Sequence, residues 1–206
     1  MKIEKFVIGM LGTNCYIVQN EKTKECFLVD LAACPPELVG HIRQAGLKVQ
    51  AVLLTHGHFD HIMGIDAFLK EFQVPVYAYE EERALLNDAS LNASAEYSSG
   101  YTFSGADYLK DDQKLEIAGT QICVIHTPGH TIGGCCYYLP EEHVLFSGDT
   151  LFYGSTGRTD FPTGSQSQLV RSIHGKLFPL PEETVVYPGH MSETTIGFEK
   201  MHNPFL

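Results

Sequence analysis

Four potential metal ligands stand within six residues in the segment Thr55-His56-Gly57-His58-Phe59-Asp60-His61. Imidazole and carboxylate groups at this density carry a desolvation cost that a bound cation offsets, and both are ligands for divalent metals. If His56 and His58 turn toward one ion, Asp60 and His61, at the entrance of the following helix, face a second about 3.5 to 4 Å away. Three further segments carry ligand-type residues on tight turns: Thr127-Pro128-Gly129-His130-Thr131, Ser147-Gly148-Asp149-Thr150 and Tyr187-Pro188-Gly189-His190. Each follows a run that reads as a strand, so their side chains can project into a common mouth where strand ends converge.

The elements that must hold these segments follow from periodicity. Strand-like runs at 3–8, 15–20 and 26–30, separated by Gly12-Thr13-Asn14 and a polar turn at 21–24, predict an opening meander. Pro35-Pro36 starts a helix with Leu38, Ile42 and Ala45 near helical spacing and Gly46 as its stop, and 50–54 then reads as a buried strand. Ile65, Phe68, Leu69 and Phe72 form one apolar helical face. Residues 88–112 are rich in Ser, Ala, Asn and Gly, carry Tyr97, Tyr101 and Tyr108 without a period, and are expected to be irregular. Later strands fall at 121–125, 135–139 and 143–146, the last two as a hairpin. Ser165 with Gln168 predicts a capping box ahead of the helical face Leu169, Ile173 and Leu177, and a strand at 184–187 and a helix around 195–201 complete the order. Strands and helices mixed in both halves imply an α/β (α+β) layered architecture, and the lack of any linker makes 1–206 a single expected domain.

Composition narrows the function. The 206 residues carry 25 acids against 14 bases, a formal net charge of −11, and no basic run, which argues against a nucleic-acid or anionic-membrane surface. No apolar run approaches the roughly 18 to 20 residues of a membrane helix. The N-terminal stretch holds an acid and no small-residue cleavage site, so a cytoplasmic location is the expectation. Six cysteines without a C-x-x-C spacing read as free buried thiols rather than a disulfide or zinc framework.

The combination His56-x-His58-x-Asp60-His61 with His130, Asp149 and His190 resembles the metallo-β-lactamase superfamily, over nearly the whole chain. Within it, Gly129-His130-Thr131-x-Gly133, Gly148-Asp149-Thr150-Leu151-Phe152 and Tyr187-Pro188-Gly189-His190 look most like the glyoxalase II-type hydrolases. The resemblance implies a four-layer αββα sandwich with the site at one sheet edge. It assigns His56, His58 and His130 to one metal and Asp60, His61 and His190 to the other, with Asp149 bridging. Two divalent ions, zinc first and iron or manganese as alternatives, would lower the pKa of a shared water from about 15.7 toward 7 and so supply hydroxide at neutral pH. Asp60 and Asp149 are the catalytic candidates, and the implied reaction is hydrolysis of a small-molecule thioester or related ester. The sequence sets neither the physiological substrate nor the oligomeric state.

Several features depart from that pattern or compete with it. An aspartate at 149, where β-lactamases commonly use a thiolate, argues against an antibiotic substrate. Only sixteen residues follow His190, without the helical glutathione-binding domain of full-length glyoxalase II enzymes. Met191 replaces a glycine usual in the motif, which makes the lip beside His190 bulkier. Asp30 is expected to brace the metal loop through backbone hydrogen bonds. The segment Gly157-Arg158-Thr159-Asp160-Phe161-Pro162 resembles the persulfide dioxygenases of the same superfamily, in which one iron would be held by His56, His130 and Asp149. Arg158 is a candidate substrate contact, or else an ion pair with Asp160 that orders the loop. His126 reads as a strand-end hydrogen bond, His41, His143, His174 and His202 as surface residues, and the adjacent Cys135 and Cys136 as core residues on opposite faces. Tyr97, Tyr101 and Tyr108 either line the mouth or pack their loop onto the body.

Overall fold

A computed structural model describes residues 1–206. In chain order it contains β1 (Lys2–Ile8), β2 (Thr13–Gln19), β3 (Glu25–Val29), α1 (Pro36–Gln44), β4 (Lys48–Leu53), α2 (Phe59–Ile62), α3 (Ile65–Glu71) and β5 (Val76–Tyr79). A 3-10 turn at Glu80–Glu82 leads to α4 (Arg83–Leu86), α5 (Ser94–Tyr97), β6 (Ala106–Leu109), β7 (Lys114–Ile117), β8 (Thr120–His126), β9 (Cys135–Leu139) and β10 (Val144–Gly148). The chain continues through β11 (Leu151–Phe152), β12 (Ser155–Thr156), α6 (Gln166–Ser172) with a π-helical extension over Ile173–Leu177, β13 (Val185–Pro188), β14 (Thr194–Thr195) and α7 (Ile196–His202).

The strands form two six-stranded sheets, ordered β1-β2-β3-β4-β5-β6 and β14-β13-β10-β9-β8-β7. Alternation along each strand determines which layer a side chain enters. In β2, Cys15 and Ile17 join the core under α1 and α3, whereas Tyr16 and Val18 face the second sheet. In β9, Cys135, Tyr137 and Leu139 fill the space between the sheets, and Cys136 and Tyr138 turn to the helices on the far side. The two adjacent cysteines thus lie in different cores, as their alternation requires. Helices α1 and α3 cover one sheet through Leu38, Ile42, Ile65 and Phe68, and Leu169, Ile173, Leu177 and Ile196 cover the other, which gives the four layers α, β, β, α.

The predicted strands and helices appear with boundaries shifted by a residue or two; β5, β7, α4, α5, β11, β12 and β14 have no counterpart in the sequence pattern, and three expectations differ. Strand β6 lies inside the stretch expected to be irregular, paired in parallel with β5 through Val76–Ala106 to Tyr79–Leu109. It is an edge strand whose burial alternates only partly, so its sequence carries little apolar signal. The capping box is absent: Ser165 is the N-cap residue of α6, but its hydroxyl makes no cap hydrogen bond and lies 3.4 Å from the Ser167 hydroxyl instead. His41 is half-buried rather than on the open surface, its Nε2 3.1 Å from Glu4 Oε1.

One contact links the inter-sheet core to the metal-ligand segment directly. Tyr137, fully buried, donates its hydroxyl to the Leu54 carbonyl at 2.7 Å, at the point where β4 gives way to Thr55 and His56. The Tyr137→Phe variant should lose about 1 to 2 kcal/mol of unfolding free energy in urea titration, because Leu54 oxygen then keeps only a 3.7 Å contact from the Cys135 thiol.

Candidate metal centre

The segments singled out by residue type converge at one end of the two sheets. Asp30, at the end of β3 with φ +57°, directs its carboxylate under the loop that follows β4. One oxygen accepts from the Thr55 backbone N–H at 2.8 Å; the other accepts from the Thr55 hydroxyl and from His61 Nδ1, each at 2.8 Å. Asp30 therefore braces the loop as expected, with two side-chain hydrogen bonds besides the backbone one. Since the Thr55 hydroxyl donates to Asp30, it accepts from His56 Nδ1 at 3.2 Å. With both Nδ1 atoms occupied as donors, His56 and His61 are left with Nε2 lone pairs directed inward.

The other ligand-type residues meet those lone pairs. His130 donates Nδ1 to the Arg158 carbonyl at 2.7 Å, leaving Nε2 at 2.9 Å from His58 Nδ1 and 3.6 Å from Asp149 Oδ2. His61 Nε2 lies 3.6 Å from Asp60 Oδ2 and 3.4 Å from Asp149 Oδ1. His190 Nε2 approaches Asp60 Oδ2 at 3.2 Å and Asp149 Oδ2 at 3.6 Å. All seven residues are thus brought together. Ligand atoms lie within 4.8 Å of one another in the groups His56, His58, His130; His56, His61, Asp149; and Asp60, His61, His190.

These atoms are poorly satisfied by one another. His56 Nε2, His58 Nε2, His61 Nε2 and Asp149 Oδ1 are buried without a hydrogen-bond partner. The 3.4 Å approach of His61 to Asp149 lacks hydrogen-bond alignment. Acceptor atoms that face other acceptors are stabilised by a cation between them, so the donor set fits metal ions on the geometry alone. Protonation behaves accordingly. Burial, reinforced by the neighbouring imidazoles, holds His56 and His58 well below the usual histidine range; burial also lowers His130, against the pull of Asp149. For His61 burial acts downward too, yet Asp60, Asp30 and Asp149 outweigh it and carry the ring up to about 10. His190 is likewise raised, by Asp60 and Asp149 against its burial. Burial would raise Asp60, but His61 and His190 hold it far below the carboxylate range.

Backbone shape makes the close approach possible. A Cβ on Gly189 would lie 2.3 Å from Asp149 Oδ1 and 2.7 Å from His61 Cε1. Gly148 has φ +48°, and a Cβ there would meet Thr55 Oγ1 at 2.3 Å. The turn that carries His190 is held from β2: Tyr16 donates its hydroxyl to the Pro188 carbonyl at 2.7 Å, and Asn14 Nδ2 donates to the Pro188 and Met191 carbonyls at 2.9 and 3.0 Å. Met191 itself adopts φ +70°, a conformation glycine takes without strain, and its side chain is 59% exposed at the lip.

Sequence reasoning missed two groups. Thr13 donates its hydroxyl to Asp60 Oδ2 at 3.2 Å and so fixes that carboxylate. Glu82 is fully buried; it accepts from the Thr131 hydroxyl, and its other oxygen lies so close to Gly57 that a Cβ there would meet it at 3.3 Å, which packs the His56–His58 segment against the His130 turn. The one available signal was weak, since Glu80-Glu81-Glu82 reads as a solvated acidic run. His126 lies apart from the cluster, stacked on Tyr79 with Nε2 at 2.9 Å from the Ile132 carbonyl.

A cavity of about 400 Å³ opens on the cluster, with His58, Asp60, His130, Asp149 and His190 in its floor. Tyr97 lines it, stacked on Phe59 at 4.5 Å, whereas Tyr101 packs into the core and Tyr108 lies under Arg83. Arg158 also lines the cavity, and its guanidinium forms two 2.7 Å hydrogen bonds with Asp160 and stacks over Phe161 at 4.0 Å.

Burial lifts Glu82 to about 7, despite the hydrogen bond from Thr131. A raised carboxyl keeps its proton in the native state while the unfolded chain loses it, so stability falls as pH rises from about 4.5 to about 7. The Glu82→Gln variant should lack this loss, which is on the order of 3 kcal/mol at most. The check is the difference in unfolding free energy between variant and parent, which should grow in the variant's favour across that window and stay flat above it.

Comparison with known proteins places the chain among relatives. A family model described as "Metallo-beta-lactamase superfamily" matches residues 8–190. The chain is 38% identical to the "Probable metallo-hydrolase YqgX" of Bacillus subtilis (strain 168), covering 100% of this chain and 98% of that one. It is 32% identical to the "Hydroxyacylglutathione hydrolase GloC" of Haemophilus influenzae, with the same coverage. Among solved structures, the BLEG-1 B3 metallo-beta-lactamase superposes with a TM-score of 0.93 at 41% identity over 99% of each chain. TTHA1623 in a di-iron-bound form gives 0.88 at 35% identity over 98% of this chain and 100% of that one.

Proposed function

The chain belongs to the metallo-beta-lactamase superfamily, and from that premise we propose that it hydrolyses a small-molecule thioester or related ester at a centre of two divalent ions. The observation that carries the proposal is the position of Asp149: its Oδ1 faces His61 while its Oδ2 faces both His130 and His190. In this reading His56, His58 and His130 would hold one ion, Asp60, His61 and His190 would hold the other, and Asp149 would contribute to both. Zinc suits the nitrogen and oxygen donors, and iron or manganese suits them as well. Two such ions supply Lewis-acid polarisation of a carbonyl and acidify water at neutral pH.

The remaining work falls to the chain itself. Asp60, held by Thr13 and lining the cavity, is the carboxylate assigned to help hold the second ion and to orient the attacking water beside it. Asp30 and the Arg158 carbonyl fix the tautomers of His61 and His130, so that both rings present Nε2. Leu11, Phe59, Phe152 and Phe161 give the cavity apolar walls that limit bulk water around the carbonyl.

A second reading has one observation in its favour, the similarity to a structure named a B3 metallo-beta-lactamase. A β-lactam therefore belongs in the substrate panel despite the aspartate at 149. Protein purified anaerobically with its metal content measured should carry two ions per chain and turn over thioesters faster than esters, lactones or β-lactams. One iron per chain with oxygen consumption would favour the dioxygenase alternative, and β-lactam turnover alone would favour the second reading. Asp149→Ala should release both ions in a chelator competition and lower thioester turnover more than about 100-fold, since loss of groups merely behind a ligand already costs 10 to 100-fold.

A further inference from the structure

We propose that the cavity selects uncharged substrates with an apolar arm and disfavours anionic carriers such as glutathione; this deepens the hydrolase reading and rests on it for the reaction, though not for binding. Its walls are Leu11, Phe59, Tyr97, Phe152, Phe161 and Met191. Three of these are left open by the fold, at 49% exposure for Leu11, 43% for Tyr97 and 59% for Met191. Exposed apolar groups gathered at the mouth of one cavity are unusual on a protein surface and gain from covering by an apolar ligand.

The charge pattern points the same way. Glutathione thioesters carry two carboxylates and one ammonium, so an adapted site needs a free cation beyond the reacting centre. Among the lining residues Arg158 is the sole lysine or arginine. Both faces of its guanidinium chemistry are engaged, the edge by two hydrogen bonds to Asp160 and the plane by the Phe161 ring. The carboxylate of Asp160 beside it cancels its charge toward an incoming anion. The chain as a whole carries a formal net charge of −11, which repels anions at long range.

The reaction on such a substrate balances without a further reagent. Water adds its oxygen to the acyl carbon, the carbon–sulfur bond breaks, and the two products are a carboxylic acid and a free thiol that takes the second hydrogen of the water.

Binding and turnover separate this inference from the hydrolase reading. Titration calorimetry on zinc-loaded protein should compare two unreactive thioethers, S-hexylglutathione and S-hexyl-N-acetylcysteamine, which share the arm and differ in charge. The neutral ligand is expected to bind at least about tenfold more tightly. Equal or tighter binding of S-hexylglutathione overturns the inference. Asp160→Asn leaves Arg158 uncompensated and should narrow the ratio of the two affinities by about two- to fivefold, the worth of an exposed ion pair. An unchanged ratio removes the pair from the account and overturns the charge argument. Turnover of the matching hexanoyl thioesters is read separately. If neither is hydrolysed, the hydrolase reading fails while the binding order still decides the selectivity.

Discussion

Electron-rich atoms crowded into a buried space govern the rest of this structure. His56, His61 and His130 each spend one ring nitrogen on a neighbour, Thr55, Asp30 and the Arg158 carbonyl respectively, which leaves the other nitrogen as a lone pair pointing inward. Asp60 and Asp149 add carboxylate oxygens to the same space. Such an arrangement is unfavourable by itself, and the surrounding fold must hold it against the tendency of each group to turn toward water. Asp30 is central because one carboxylate fixes the loop backbone, the Thr55 hydroxyl and the His61 ring together, and through Thr55 it also sets the His56 tautomer.

The sandwich supplies the rigidity this requires. Ligand-type residues come from the ends of β4, β8, β10 and β13, strands from both sheets that are packed through one inter-sheet core. Cross-links join the segments above that core: Tyr137 to Leu54, Glu82 to the Thr131 turn, and Tyr16 with Asn14 to the His190 turn. Glycines at 148 and 189 let the turns approach to distances at which any Cβ would overlap Thr55 or Asp149. A site assembled from four strand ends needs every one of these ties, because each turn alone is free to relax.

What could be read from the sequence follows from how each feature is encoded. The ligand cluster was legible because charged and imidazole groups beside apolar strands have few packing explanations. Strand β8 and helix α3 were legible because burial of one face imposes a period, and β2, β3 and β9 because burial on both faces gives an unbroken apolar run. Strand β6 was not, since an edge strand in a polar stretch needs few apolar residues and pairs through its backbone. Glu82 was hidden for the opposite reason, as its surroundings in the chain are acidic and only the tertiary fold buries it. The Ser165 capping pattern was present in type and unused in geometry, because a local motif competes with the packing of the whole helix.

Arg158 shows how one residue can serve the centre and its entrance by different atoms. Its carbonyl oxygen fixes the His130 tautomer, a role any amino acid in the same backbone conformation would fill. Its side chain, paired with Asp160 and stacked on Phe161, shapes the electrostatics of the mouth. The two roles are therefore separable: side-chain variation here can retune which substrates enter while the imidazole behind it stays aligned. The same division holds at position 191, where the backbone carbonyl accepts from Asn14 and the side chain stands at the lip. At both positions the backbone is tied to the centre while the side chain stands at the mouth, so a substitution can change the mouth and leave the tie in place.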